Sequence, residues 1–558
     1  MQKIINENYF DLIIDTIIAP TSGIEDNLTP LNDRYSILHV LNNSVDTCNL
    51  RMHPYHRFPS LFTPMSAIGL EKSGITQVQR NPYLGLYGRG VIVGIVDTGI
   101  NYQHPAFRNN DGTSRILSIW DQTIQEGTIP SGFTFGSEYE RPIINLALSG
   151  EEPLAIVPSE DTNGHGTAIA SIIVGKPSIE DSFSGIATES DLVVVKLKEA
   201  KRNIRQFFFV QDNTVCYQET DLILGIRYLY SVAQKLKRPL VICIALGSSQ
   251  GGHNGHGTAS NYINVLSLLP GIDVAVAAGN EGINRRHYYG SVNTAPFSTN
   301  FELKVGNGDK SFAFEIWPDQ LSHLSIEITS PSGEKSSIIR PTFGNCTQLN
   351  LIFGATNVWV NSMNFEEETG NQLIFIRFQD PMEGVWNFRV INTKESSFSF
   401  HSWLPAGDMI SNETYFFGSN PDTTITSPGN SNHPLTVSAY DPVNNIFLYT
   451  SSRGFTRTNH IKPCVAAPGY EIPCAASQDS YNTMTGTGAA AAHATGIIAL
   501  MLEWAVIRGN YTSITGNDIN QLIIRGAARD EATTTYPSKI WGYGRINISG
   551  VFESLIKW

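Results

Sequence analysis

The stretch Met484-Thr485-Gly486-Thr487-Gly488, running straight into Ala489-Ala490-Ala491-Ala492-His493-Ala494-Thr495-Gly496, limits this chain more than any other. It predicts a glycine turn feeding a helix of very small side chains, continued by the apolar run Ile497–Leu502. A helix that is apolar all round has to be buried. Alanine and glycine let other backbone come close, and the glycines point the first free N–H groups outward. Some hydrolases mount a serine nucleophile on such a turn. Here that position is Gly488, which has no side chain.

The rest of the chain supplies the frame. Val91–Val96 is a continuous apolar run rich in β-branched residues, the pattern of a strand buried on both faces in a parallel sheet. It ends in Asp97-Thr98-Gly99, so a carboxylate sits at the strand end where α/β sheets carry their sites. Further on, His165 lies between Gly164 and Gly166 at the start of a small-residue helix. Leu192–Lys196, Leu240–Gly247 and Val274–Gly282 read as further strands, and Thr220–Leu236 as a helix. Alternating strands and helices predict an α/β fold built on a doubly wound parallel sheet.

From about residue 297 to 406 the period becomes two, as in Phe301-Glu302-Leu303-Lys304-Val305 and Val385-Trp386-Asn387-Phe388-Arg389-Val390. This predicts an inserted antiparallel β-sandwich of jelly-roll type, serving as scaffold or as a binding module. The α/β pattern resumes with Leu435–Tyr440, and two helices are expected from Thr515 and Ser549. Before the first motif, Tyr35–Leu41 predicts a strand of a small α+β unit, followed by the extended segment Leu61–Met65.

At 558 residues the chain exceeds one core. Its 38 Lys and Arg against 51 Asp and Glu give a net charge of −13, which argues against a nucleic-acid partner or a polybasic membrane anchor. The first residues lack a basic and apolar leader pattern, Leu12–Ala19 contains Asp15, and Gly496–Val506 is broken by Glu503, so neither a signal peptide nor a transmembrane segment is expected. Six scattered cysteines without a CxxC predict buried free thiols, although Cys464 and Cys474 are near enough in sequence to pair. His253 and His256 lie on a glycine loop without a third ligand nearby, so no metal site is expected.

Taken in order, the motifs resemble those of the subtilisin-like serine proteases, the subtilases. Asp97-Thr98-Gly99 is similar to the family's catalytic-acid motif and Asn163-Gly164-His165-Gly166-Thr167 to its histidine motif. Ala245-Leu246-Gly247 is similar to its Ser-Leu-Gly substrate-binding strand, with alanine for serine, and Asn280 falls at the oxyanion-hole asparagine. Gly486-Thr487-Gly488 aligns with Gly-Thr-Ser, with glycine at the nucleophile. A jelly roll between the asparagine and the nucleophile motif resembles the Csp branch of clostridial spores, which includes active proteases and pseudoproteases.

The resemblance is greatest to the pseudoproteases. It implies a prodomain at 1–65 that stays uncleaved in the cleft, a protease domain at 66–296 and 407–558, and an insertion at 297–406. It also implies no cofactor, other Csp proteins as partners, a small germinant such as a bile salt or amino acid, and a place in the spore. Ala492 stands where the family carries proline, which favours natural loss of activity over an engineered knockout of an active Csp protease.

Overall fold

The computed structural model describes residues 2–16, 27–64, 73–319, 323–476, 479–530, 532 and 534–556. Its centre is the strand Ile92–Asp97, buried at every residue as its β-branched run predicts. On one side lie Leu240–Ile244, Ile272–Ala277 and Leu435–Asp441, and on the other Asp191–Lys196 and Ile116–Asp121, all paired in parallel. The short strands Ile446–Phe447 and Ser137–Glu140 close the two edges antiparallel.

The helix Thr487–Leu502 is buried over its whole length. It packs on the strands Leu240–Ile244, Ile272–Ala277, Leu435–Asp441 and Val465–Pro468 and on the helix His165–Val174. Its alanines permit that crowding. The span Thr487–Ile507 is long and apolar enough to cross a membrane, but 83% of its apolar window is buried inside the protein. Glu503, the acid that interrupts the run, is a loop anchor. One of its oxygens accepts from the backbone N–H groups of Tyr87, Gly88 and Arg89 at 2.8, 2.7 and 3.2 Å, and the other faces Arg508 at 2.6 Å.

Two further antiparallel sheets, of six and four strands, enclose a core that includes Phe301, Phe314, Phe378, Trp386 and Phe388. Their first and last strands, His287–Val292 and Tyr415–Phe416, extend beyond the expected 297–406 at both ends. These flanking strands are short and carry mixed burial, so alternation alone does not mark them.

The N-terminal residues form a three-stranded sheet in the order Tyr9–Asp15, Tyr35–Leu41, Leu28–Pro30. Among the described residues up to 64 the only helical turns are short 3-10 turns. The expected boundary at residue 65 and part of the Leu12–Ala19 patch lie outside the described residues. The strand Leu61–Pro64 runs antiparallel between two strands of the protease body. Leu61 and Phe62 face Gln218 and Tyr217, while Thr63 and Pro64 face Gly247 and Leu246.

This segment shares the body's core. Phe58 stacks on Phe207 with ring centroids 3.8 Å apart. Buried Asp11 receives His39 Nδ1 at 2.7 Å, Lys201 Nζ at 2.8 Å and Gln218 Nε2 at 3.0 Å. Burial opposes ionisation of Asp11, but the Lys201 ammonium and the His39 ring outweigh it and hold the carboxyl below the usual range.

The expectation of free thiols fails for two cysteines. Cys48 and Cys346, 298 positions apart, form a disulfide between the N-terminal segment and the insertion. Cys216, Cys243, Cys464 and Cys474 are free and buried, so Cys464 and Cys474 do not pair. The fold brings Cys48 and Cys346 together, and no sequence spacing announces it.

Beside this junction Tyr55 donates to Glu315, whose other oxygen accepts from Trp317 Nε1 at 2.7 Å and the Gly251 N–H at 2.9 Å. Burial outweighs these donors and raises the Glu315 carboxyl to about 7. Folding therefore increases its proton affinity. Its contribution to stability is complete below its ordinary value of 4.5 and is lost as pH rises through about 7. Urea unfolding is expected to show a loss from this group on the order of 2–4 kcal/mol between about pH 5 and 8. Glu315→Gln should flatten that part of the slope; an unchanged slope in the variant refutes the assignment.

Candidate active site

Asp97 ends the central strand and His165 opens a buried helix, so strand and helix ends bring the two together. His165 Nδ1 lies 2.7 Å from Asp97 Oδ1, with both side chains buried. The same oxygen accepts the Thr98 N–H at 2.7 Å. Among the described residues no donor meets the buried Asp97 Oδ2.

The glycines beside His165 are geometric necessities. Gly164, at the helix N-cap, has φ +86°, a conformation costly for other residues. A Cβ on Gly166 would come 2.2 Å from the Gly99 carbonyl oxygen, so only glycine lets the two motifs touch.

Asp161 carries no motif signature of its own, yet it binds both motifs. Its Oδ1 accepts from Thr98 Oγ1 and the Gly164 N–H, both at 2.8 Å. Its Oδ2 accepts from the Thr167 N–H at 2.8 Å and Thr167 Oγ1 at 2.6 Å. An acid a few residues before a glycine-flanked histidine at a helix start is the signal that could have found it.

Asn280 follows the strand Ile272–Ala277. Its Oδ1 accepts from the Thr487 N–H at 2.9 Å and Thr487 Oγ1 at 3.1 Å. Those two bonds fix the amide and leave Nδ2 as its donor end. Thr487 Oγ1 also accepts the Gly279 N–H at 3.0 Å. The Thr487 hydroxyl is thus committed to holding Asn280. Gly488 is the second residue of the helix Thr487–Leu502 and is buried there. Its backbone is helical, a conformation serine also adopts.

Ala245 is buried, and Leu246–Gly247 form one wall of the groove that holds Leu61–Pro64; Tyr217–Gln218 form the other. His165 borders two cavities. One, of about 890 Å³, is lined by Asn101, Arg108, Asn163 and Met484. The other, of about 740 Å³, is lined by Thr63, Arg286 and Asp408. His253 is stacked on Trp403 at 3.9 Å, with both ring nitrogens 3.0 Å from backbone carbonyls. Among the described residues no group of three or more His, Cys, Asp or Glu is placed to hold a metal ion.

The arrangement is an acid-oriented histidine and a fixed asparagine amide meeting at a helix start. In such a site the histidine takes a proton from a hydroxyl, and the amide stabilises charge developing on a carbonyl oxygen. The model of the Subtilase family matches residues 88–311 and 406–544. The chain belongs to the subtilase family. The solved structure of the CspB protease of Clostridium perfringens is similar to it, with 28% identity and a TM-score of 0.77 over 87% of this chain and 98% of that one.

Two sequence relatives are more distant. The subtilisin-like protease SBT1.9 of Arabidopsis thaliana is 23% identical over 75% of this chain, and the subtilisin of a Bacillus species 25% identical over 49%. This chain spans 57% and 56% of the lengths of those two relatives. The subtilase fold thus carries Asp97, His165, Asn280 and Gly488 on its own elements, with Ala245-Leu246-Gly247 along the groove.

Proposed function

We propose that this subtilase is a catalytically inactive pseudoprotease, most like CspC, acting as a signalling protein in bacterial spore germination upstream of cortex-hydrolase activation. The observation that carries the reading is Gly488, which puts no side chain where Asp97, His165 and Asn280 serve a nucleophile. Loss of the serine in subtilisin costs on the order of 10⁶-fold in kcat, far below what a protease needs. The commitment of Thr487 Oγ1 to Asn280 and Gly279 removes the neighbouring hydroxyl as a substitute.

In this reading the N-terminal segment is not cut off and occupies the cleft, supported by the pairing of Leu61–Pro64 with both groove strands. The partners are other Csp proteases or pseudoproteases and a small germinant, a bile salt or an amino acid. The place of action is the cortex and coat region of the spore. The retained Asp97–His165 pair supports a second reading: a nucleophile-lacking form of an active Csp protease that processes a cortex-hydrolase zymogen.

Purified protein should keep its full mass of 61.3 kDa and hydrolyse no fluorogenic peptide, and it should co-purify with Csp-family proteins in a germinant-dependent way. Self-cleavage or peptide turnover would sink the pseudoprotease reading; absence of any Csp partner would sink the signalling one.

A further inference from the structure

Several features of the N-terminal segment point to one role for the insertion. The Cys48–Cys346 disulfide, with Cα atoms 5.0 Å apart, lies within a run of hydrogen bonds between the same two parts of the chain. Arg377 Nη1 donates to the Thr47 carbonyl at 2.8 Å, and Asn361 Nδ2 donates to the Cys48 carbonyl. The Leu50 N–H donates to the Gly344 carbonyl at 2.9 Å and Arg51 Nε to the Phe343 carbonyl at 3.0 Å. Tyr55 donates to Glu315. Every partner on the far side belongs to the two added sheets or their loops.

Arg377 is the telling member. It is 2% exposed, and its guanidinium lies 5.0 Å from the Phe375 ring centroid and 5.4 Å from that of Phe207. Its other hydrogen-bond partner is Asn361 Oδ1, at 2.7 Å. Departure of residues 47 and 48 would strip a buried cation of one of its acceptors, a costly state. A little further along the same segment, Leu61–Pro64 sits in the groove. The chain is therefore bonded to the insertion at one point and laid in the groove at the next.

We propose that the inserted β-sandwich is the permanent anchor of the N-terminal segment. Through Cys48–Cys346 it keeps Leu61–Pro64 as a tethered occupant of the groove, whether or not the chain is cut between residues 65 and 72. A tethered strand returns at an effective concentration of about millimolar, whereas a free one is diluted away. Any competitor for the groove meets a strand that cannot leave. This inference does not depend on whether the chain is catalytically inert.

The test uses the full chain, purified without reductant, carrying a site-specific protease sequence inserted between Ser66 and Ala67. After cutting, a non-reducing denaturing gel should show one band, and a reducing gel two. Alkylation of the uncut, unmodified chain in denaturant should label four cysteines before reduction and all six after it. A labelled peptide of residues 58–64 should bind the cut, oxidised protein at least about tenfold more weakly than the cut Cys48→Ser variant. Two bands without reductant, six labelled cysteines before reduction, or equal peptide binding by the two proteins would each overturn the proposal.

Discussion

On the pseudoprotease reading, Gly488→Ser is expected to yield a chain that cuts its own N-terminal segment. The Asp97–His165 distance of 2.7 Å is that of a working hydrogen bond, and the Asn280 amide is already fixed by Thr487. The helix start at Gly488 accepts a serine backbone, and Leu61–Pro64 lies in the groove beside the site. On that reading the hydroxyl completes a unit whose members act together, so the gain should approach the roughly 10⁶-fold lost when such a serine is removed. Intact mass of the purified variant decides the matter. A cut between residues 64 and 73 is expected; a chain that remains whole would mean that Ala492 or the segment itself also blocks the chemistry. If the anchor is as argued, the cut variant still runs as one species until it is reduced.

Asp11→Ala is expected to give a large loss of stability. The substitution leaves the buried Lys201 ammonium with the Lys3 and Tyr9 carbonyls, at 3.0 and 3.3 Å, as its hydrogen-bond acceptors among the described residues, and takes a partner each from His39 and Gln218. Breaking a buried pair from one side costs about 3–5 kcal/mol, because the other charge stays desolvated. Urea unfolding of the full chain should show that loss, or a correspondingly shorter unfolding half-life if unfolding is irreversible. The exposed pair Arg89–Glu189 is the internal control: Glu189→Ala should change little, since water screens it. A similarly small change for Asp11→Ala would show that the N-terminal segment is not fastened through this pair.

Much of the candidate site's geometry was legible because its demands are local. A carboxylate at a strand end, a histidine between glycines and a glycine turn before an alanine helix each declare a backbone conformation and a chemistry within a few positions. Gly166 is there because a Cβ would strike Gly99, and that constraint is visible as a glycine in the motif. Asp161 is not legible in this way, because its four bonds reach two motifs and an aspartate before a helix ordinarily reads as a turn residue. The flanking strands His287–Val292 and Tyr415–Phe416 are not legible either, because partial burial erases alternation.

The sequence by itself determined the subtilase frame, the positions of Asp97, His165 and Asn280, and the missing side chain at Gly488. Those follow from strand hydrophobicity, glycine geometry and the residue types the chemistry requires. Only the tertiary structure decided that Cys48 meets Cys346 across 298 positions, that Asp11 meets Lys201, and that Leu61–Pro64 lies between Tyr217–Gln218 and Leu246–Gly247. Such meetings depend on how separately folded elements pack. Distance along the chain carries no record of them, because loop closure over long separations adds only a slowly growing entropic cost and leaves many pairings open.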